Sequence, residues 1–321
     1  MKFRASRAIV LMLLLAAGAA GAQTYPTRPV RIVVPSSIGG GTDIVARVIA
    51  HKLSETMGQQ FVVENRPGAS TMIGGEVVAR AAPDGYTLLM GISTLAINPA
   101  MFRKVPYDAQ RDFAPITQAV FLPNILIVHP SLPVRTVKEL IAFAKARPGA
   151  LNFASAGTGT NPHLSMELFR VMAGLNMVHV PYKGSAPGVT DLLSGHVSLM
   201  TPNILTAMPH VRSGRLRALG VTSARRASGA PDIPTIAEAG LPGYEAVQWY
   251  GLLAPRGTST SIVSRLNAEA TRSLRLPEVR QRLAADGAEV VAGSAEEFGV
   301  FIRAETAKWA KVVKDAGISP D

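Results

Sequence analysis

The chain of 321 residues has no cysteine, few aromatic residues (6%) and no long hydrophobic run outside its first residues. Without cysteine there is no disulfide frame, no thiolate metal site, no thiol nucleophile and no cysteine-linked lipid anchor. Every apolar run after the first 22 residues is broken by charge, glycine or proline, so none has the roughly 20 apolar residues that a membrane-spanning helix needs. Catalytic signatures are missing as well. The six histidines, His51, His129, His163, His179, His196 and His210, are scattered, and none stands in an H-E-x-x-H zinc motif. There is no G-x-S-x-G nucleophile elbow. No metal ligand, cofactor fingerprint or catalytic residue is therefore expected, and of the histidines only His163 lies beside a loop of interest.

The chain does have a basic excess, 33 Lys and Arg against 22 Asp and Glu, for a net charge of +11. Those cations are spread along the sequence, with few aromatics between them and no nucleic-acid motif, so no nucleic-acid partner is expected. The excess reads as a solvated surface that also attracts anionic solutes. Three of the cations, Lys2, Arg4 and Arg7, precede the apolar run from Ala8 to Ala17, and small residues follow at Ala20, Gly21 and Ala22. That order predicts a secretory signal peptide over residues 1–22, cut after Ala22. A soluble exported protein without an anchor is useful only in a confined space, which predicts a periplasmic location.

About 300 residues remain, more than one ordinary core needs, so two domains are expected. Val30 to Val34 reads as a buried strand, Thr42 to Thr56 as a helix, Phe61 to Val63 as a strand, Thr71 to Ala81 as a helix and Tyr86 to Met90 as a strand. This βαβαβ order predicts a wound parallel sheet. The pattern restarts with strands at Ile125 to Val128, Leu151 to Ala154, Val178 to Val180, Val197 to Met200 and Leu216 to Val221, with helices between them, such as Thr136 to Ala146. After Trp249 to Leu253 the chain closes with helices at about Ser259 to Leu274, Pro277 to Asp286 and Ser294 to Asp315. The expected fold is therefore α/β, with two wound domains joined by a two-segment hinge. Residues 23–123 plus 250–321 would form domain one and residues 124–249 domain two.

Two loops stand out. Ser36, Ser37, Ile38, Gly39, Gly40, Gly41, Thr42 and Asp43 join the first strand to the first helix. The glycines let backbone approach a ligand, and the free N–H groups at a helix start suit a carboxylate or phosphate. Thr42 is placed to cap the helix and Asp43 to sit in its first turn. The second loop, Ser155, Ala156, Gly157, Thr158, Gly159, Thr160 and Asn161, followed by His163, again leaves a strand and opens a helix. Two such loops facing each other across a hinge would grip an anion through backbone N–H groups from both sides. Ser93, Tyr182 and Asn203 follow other strands and complete the candidate ligand-binding set.

The segments Tyr25-Pro26, Arg28 to Pro35, Gly39 to Asp43, Val63 to Ala69, Ala82 to Leu88, Asp112 to Ile116, Val180 to Gly184, Pro234 to Gly240 and Gly251 to Pro255 resemble the Bug family. These TctC-like proteins are the substrate-binding components of tripartite tricarboxylate transporters, and the resemblance spans essentially the whole chain after the signal. It implies a periplasmic-binding-protein fold, type II-like, that closes on a small carboxylate held between the two loops. Ligands known in the family are acidic amino acids, di- and tricarboxylates and aromatic acids. The implied partner is a membrane permease, or in the alternative role a sensor kinase that reads the closed form, and the chain is expected to be a monomer. Ser36, Ser37 and Ile38 stand where the family commonly has Phe followed by small residues, which implies a roomier or more polar wall.

Overall fold

A computed structural model describes residues 25–36, 38–39, 41–182, 184–285 and 287–318. The expected signal peptide, with its cut after Ala22, lies outside them, as do two loop candidates, Ser37 and Gly40.

The first sheet begins where the sequence is most β-branched. Strand β1 (Val30–Val34) runs parallel to β2 (Phe61–Asn65) and to β3 (Thr87–Ile92). Helix α1 (Gly41–Met57) joins β1 to β2, and α2 (Met72–Ala79) precedes β3. The βαβαβ unit is therefore present. Helix α3 (Thr94–Met101) follows β3 at once and was not legible in the sequence, since Pro99 lies inside it.

The next strand is longer than any expected one. β4 (Phe113–Pro123) carries prolines at positions 115 and 123, which mask its strand character. It pairs antiparallel with β10 (Val247–Pro255), and the register shifts between Leu252 and Leu253, where Leu253 faces Pro115. An irregularity of this kind lets a strand carry a residue that cannot donate to the ladder. β10 also pairs antiparallel with β3, and the short β11 (Glu289–Val290) borders β4, giving the order β11-β4-β10-β3-β1-β2.

The second sheet comprises β5 (Ile125–Val128), β6 (Asn152–Ser155), β7 (Val178–Pro181), β8 (Leu199–Met200) and β9 (Arg217–Val221), in the order β7-β6-β8-β5-β9. Only β6 runs parallel to its neighbours β7 and β8; β5 is antiparallel to β8 and β9. The second half is thus not the purely parallel repeat that its sequence suggested. The reversal arises because β4 passes into β5 with a single intervening residue, Asn124, so β5 enters its sheet in the direction β4 sets.

Helices α4 (Val137–Ala146), α5 (Asn161–Ala173), α6 (Ser185–Leu193) and α7 (Ile204–Arg212) cover the second sheet, and α8 (Thr260–Leu274), α9 (Pro277–Ala285) and α10 (Ala295–Asp315) return to the first. Their starts follow capping chemistry. The Thr136 side chain accepts from Glu139 N–H and Ser259 from Ile262 N–H, while Ser294 and Glu297 form a reciprocal capping box. One apolar core packs α1, α8 and α9 under the first sheet, and another packs α6 and α7 under the second. The largest core is shared: Val33, Leu95, Phe153, Leu164, Trp249, Phe298 and Trp309 belong to one cluster that reaches both sheets. Each of its large side chains contributes roughly 1.5–3 kcal/mol by leaving water. Arg170 on α5 donates to the Ala316 carbonyl just past α10, at 2.9 Å, which ties the closing helix to the second half.

Gly251 sits where β10 crosses under α10. A Cβ there would lie 2.4 Å from Phe298 Cζ and 2.8 Å from the Thr117 carbonyl oxygen, and the latter is backbone that no rotamer change can move. Gly251→Ala is expected to lower unfolding free energy by about 1–3 kcal/mol, read as a fall in urea midpoint at unchanged slope.

Candidate functional site

The carboxyl ends of β1, β2 and β3 lie along one edge of the first sheet, and the loops leaving them build one wall of the candidate site. After β1 the chain turns through Gly39, whose φ of +81° is a glycine conformation. The turn is organised by Asp43. One carboxylate oxygen accepts from Gly39 N–H at 3.0 Å and from Arg47 Nε at 2.9 Å; the other accepts from Asn65 Nδ2 at 3.0 Å. Asn65 Nδ2 also donates to the Ser36 carbonyl. Burial alone would raise the Asp43 carboxyl, but the hydrogen bonds from Arg47, Gly39 and Asn65 outweigh it and hold the group below its ordinary value. Asp43 therefore holds the loop, with both of its oxygens engaged within the protein. Thr42 does not cap α1, which already starts at Gly41. It is buried and hydrogen-bonds the Tyr250 phenol, which burial pushes up to about 12. Ile38 is 76% exposed.

The second wall is the loop from Ser155 to Thr160. Most of its amides face inward. Gly157 N–H donates to Ser155 Oγ at 3.1 Å, Gly159 N–H to His163 Nδ1 at 3.2 Å, and Thr160 N–H to the Gly157 carbonyl at 3.3 Å. Thr160 Oγ1 donates to that same carbonyl at 2.7 Å, and the Ala156 carbonyl accepts from Gly184 N–H. Gly157 and Gly159, at φ +125° and +75°, make this self-satisfied turn possible. Of the three amides from Gly157 to Gly159, Thr158 keeps a donor with no acceptor among the described residues. The backbone N–H groups of Gly39, Gly157, Gly159 and Thr160, expected as anion donors, are held by neighbouring acceptors in this structure.

Beneath this loop lies an aromatic stack that the sequence did not reveal. The His163 and His179 rings are 4.0 Å apart at 21°, and His179 lies 5.0 Å from Phe153. His179 Nε2 is 2.7 Å from Ser155 Oγ. Burial, with His179 and Arg170 adding to it, pulls His163 down to about 3, and burial pulls His179 down to about 4. Both imidazoles are neutral at pH 7 and act as fixed hydrogen-bonding groups. The Ser155–His179 pair is no nucleophile and base, since Ser155 is fully buried and already accepts from Gly157. The position of His179 in strand β7, one residue into the run Val178-His179-Val180, was the available signal: a histidine inside an apolar strand faces one packed side.

Two other candidates are engaged within the protein. The Tyr182 hydroxyl donates to Asp191 at 2.7 Å. Asn203 caps α7, its Oδ1 accepting from Thr206 N–H and Thr206 Oγ1, both at 2.9 Å. Ser36 and Ser93 are different. Both hydroxyl oxygens are buried without a hydrogen-bond partner, and they follow the neighbouring strands β1 and β3. Unsatisfied buried hydroxyls are uncommon in folded proteins and mark places that a ligand or water completes.

The second wall is tied to the chain crossings. Asn124 Nδ2 donates to Asn161 Oδ1 at 2.7 Å, and Asn161 Nδ2 donates to the Val247 carbonyl at 3.0 Å. Thr222 exchanges bonds with Asn124, donating N–H to its carbonyl and accepting its N–H at 2.8 Å. The first residue of α5 is thereby tied to both crossing segments. Gly159 in turn lies against Met101 at the end of α3: a Cβ there would be 3.6 Å from that side chain.

Comparison with known proteins gives a consistent result. The family model described as TctC, the tripartite tricarboxylate transporter family receptor, matches residues 45–318. The protein BugT of Bordetella pertussis (strain Tohama I) is 38% identical over 315 residues, covering 97% of each chain. Among solved structures, Rpa4515 of R. palustris with adipate is 42% identical at a TM-score of 0.80, covering 92% of this chain and 100% of that one. MatC from Rhodopseudomonas palustris with bound malate is 34% identical at a TM-score of 0.76, covering 90% and 100%.

Two expectations follow from the geometry. Asp43→Ala leaves Gly39 N–H and one of the two Asn65 Nδ2 hydrogens without an acceptor, so stability should fall by about 1–3 kcal/mol in chemical denaturation. The histidine pair should make the fold acid-sensitive. Unfolded histidine takes up a proton near its ordinary value of 6.5, whereas folded His163 and His179 resist to about 3 and 4. Their contribution is full above about pH 6.5 and is lost as pH falls toward those values. Glu167, raised by burial, acts in the opposite sense. A His163→Gln, His179→Gln double variant should therefore show a flatter acid limb of urea midpoint between pH 6.5 and 4.5 than the parent does.

Proposed function

The chain belongs to the tripartite tricarboxylate transporter receptor family of periplasmic solute-binding proteins, not enzymes, and we propose that its solute is a small carboxylate held between the two loops. The observation that carries this reading is the pair of buried, unpartnered hydroxyls, Ser36 and Ser93, at the carboxyl ends of neighbouring strands. The likeness to proteins solved with adipate and malate supports it.

On this reading the Ser36 and Ser93 hydroxyls and the Thr158 amide, with the first turn of α5, contact the ligand. Asp43, His163, His179, Tyr182 and Asn203 hold those groups in place. Burying a carboxylate is costly unless several donors meet it. Donors on both walls make the anion itself the tie between the two bodies, and the closed form is populated by the ligand's differential affinity for it. The bodies comprise residues 23–123 with 250–321, and residues 124–249, turning about Asn124 and the segment at Val247. The loaded protein, a monomer exported to the periplasm, passes its solute to a membrane permease.

The test is a thermal-shift series on protein stripped of ligand by unfolding and refolding, against adipate, succinate, malate, citrate, glutamate and their amides. A ligand at 100 times its Kd adds about 2.7 kcal/mol to stability, a rise of a few degrees for a chain of this size. A rise with an acid and none with its amide is expected. Equal rises with acids and amides, or none with any acid, would overturn the carboxylate reading.

A further inference from the structure

The loop between β2 and α2 holds an unusual backbone. After Gly68 at φ +125°, Ala69, Ser70 and Thr71 all adopt positive φ, at +46°, +49° and +72°. Three consecutive non-glycine residues in the left-handed region are rare, and a β-branched threonine there is an outlier. Such strain persists only where surrounding contacts enforce it, and it clusters at ligand sites.

The contacts that enforce it are polar and lie on α3. Thr71 Oγ1 is 2.5 Å from Thr94 Oγ1, Ser70 Oγ donates to Asn98 Oδ1 at 3.2 Å, and Asn98 Nδ2 returns a bond to the Ser70 carbonyl at 2.8 Å. Asn98 is fully buried and also meets the Tyr107 hydroxyl. In the Thr71–Thr94 pair one hydroxyl donates to the other, so the second keeps a free O–H. Next to Thr94 stands Ser93, 1% exposed, whose hydroxyl has no partner. The spare donor of the Thr71–Thr94 pair thus lies on the sheet edge that carries the ligand loops, at the start of the helix whose far end touches Gly159. None of these groups is charged. Neutral hydroxyls suit a neutral oxygen better than a second carboxylate, which would call for a cation or more donors.

We infer that Ser70, Thr71 and Thr94 form a specificity subsite for a hydroxyl or keto oxygen on the carbon chain of the bound carboxylate, beside the Ser93 hydroxyl that meets the carboxylate, and that the left-handed loop is held in strain to present it. This rests on the carboxylate reading of the cleft. The ligand class becomes hydroxy- or keto-substituted carboxylic acids. Thr71 and Thr94 act as a pair, with Asn98 as the residue that positions the loop.

The experiment compares matched acids that differ by one hydroxyl, succinate with malate and adipate with 3-hydroxyadipate, by calorimetric titration of the full chain. The parent protein is expected to prefer the hydroxy acid in at least one pair by about 3- to 10-fold, the range for one neutral hydrogen bond. In the Ser70→Gly, Thr71→Gly variant that preference should vanish while affinity for the unsubstituted acid holds. Its melting temperature should rise, because glycine adopts positive φ without strain. Thr94→Val removes the donor pair without touching the loop and should abolish the preference with no rise in melting temperature. A parent without preference in either pair, or variants that lose both members of a pair equally, would overturn the subsite and leave the carboxylate reading standing. A parent that binds none of the four acids would overturn the subsite, and failure against the wider acid series as well would overturn the carboxylate reading itself.

Discussion

The antiparallel pairing of β4 with β10 is the constraint on which the rest of the structure depends. The pair runs from Phe113 against Pro255 to Pro123 against Val247, so it lies near the centre of the first sheet and ends where the chain passes to and from the second. The direction of β5, and with it the mixed character of the second sheet, is inherited from β4 across Asn124. Because both crossings sit at one end of a single ladder, the Asn124–Asn161–Val247 hydrogen bonds can reach both at once. The same ladder supports α10 through Gly251 and Trp249, and α10 reaches α5.

On this frame the loops are organised mainly by their own side chains. Asp43 occupies the amide of Gly39; His163 and Ser155 occupy those of Gly159 and Gly157. These bonds reduce the number of groups a ligand could meet, and they fix the geometry of those that remain. A wall already ordered before binding loses less conformational entropy when the ligand arrives. The hydroxyls of Ser36 and Ser93, buried and unpartnered, are the counterpart: groups held ready at some cost to the empty protein. The left-handed run from Ala69 to Thr71 belongs to the same pattern, since conformations of that kind cost of order 1–3 kcal/mol each and persist where neighbouring contacts over-determine them.

Membership in a receptor family accounts for the absence of catalytic motifs, and the geometry is consistent with it. The one serine and histidine at hydrogen-bonding distance in the second loop, Ser155 and His179, are buried under it and serve its shape. In the stack of Phe153, His179 and His163 the imidazoles are kept neutral by burial, and one of them, His163, takes the place of backbone as the acceptor for the Gly159 amide of a glycine-rich turn.

The sequence by itself determined the parts that depend on local periodicity and composition. β1 and β5 begin and end where their apolar runs do, and α5 starts at Asn161. Ser259, Ser294 and Thr136 cap their helices as short polar residues before apolar periods should. The family resemblance was legible for the same reason, since motifs are contiguous. What the tertiary structure decided is everything that joins residues far apart in the chain. β4 was hidden by prolines, of which Pro115 sits at a register shift against a partner more than a hundred residues away and Pro123 ends the strand. The polar atoms of Asp43, Tyr182 and Asn203 are visible in sequence, whereas the internal partners that engage them are fixed only by the fold. Ser36 and Ser93 emerge as free hydroxyls at the loop edge of the first sheet for the converse reason: a hydrogen bond that is missing can be recognised only once every neighbour is in place.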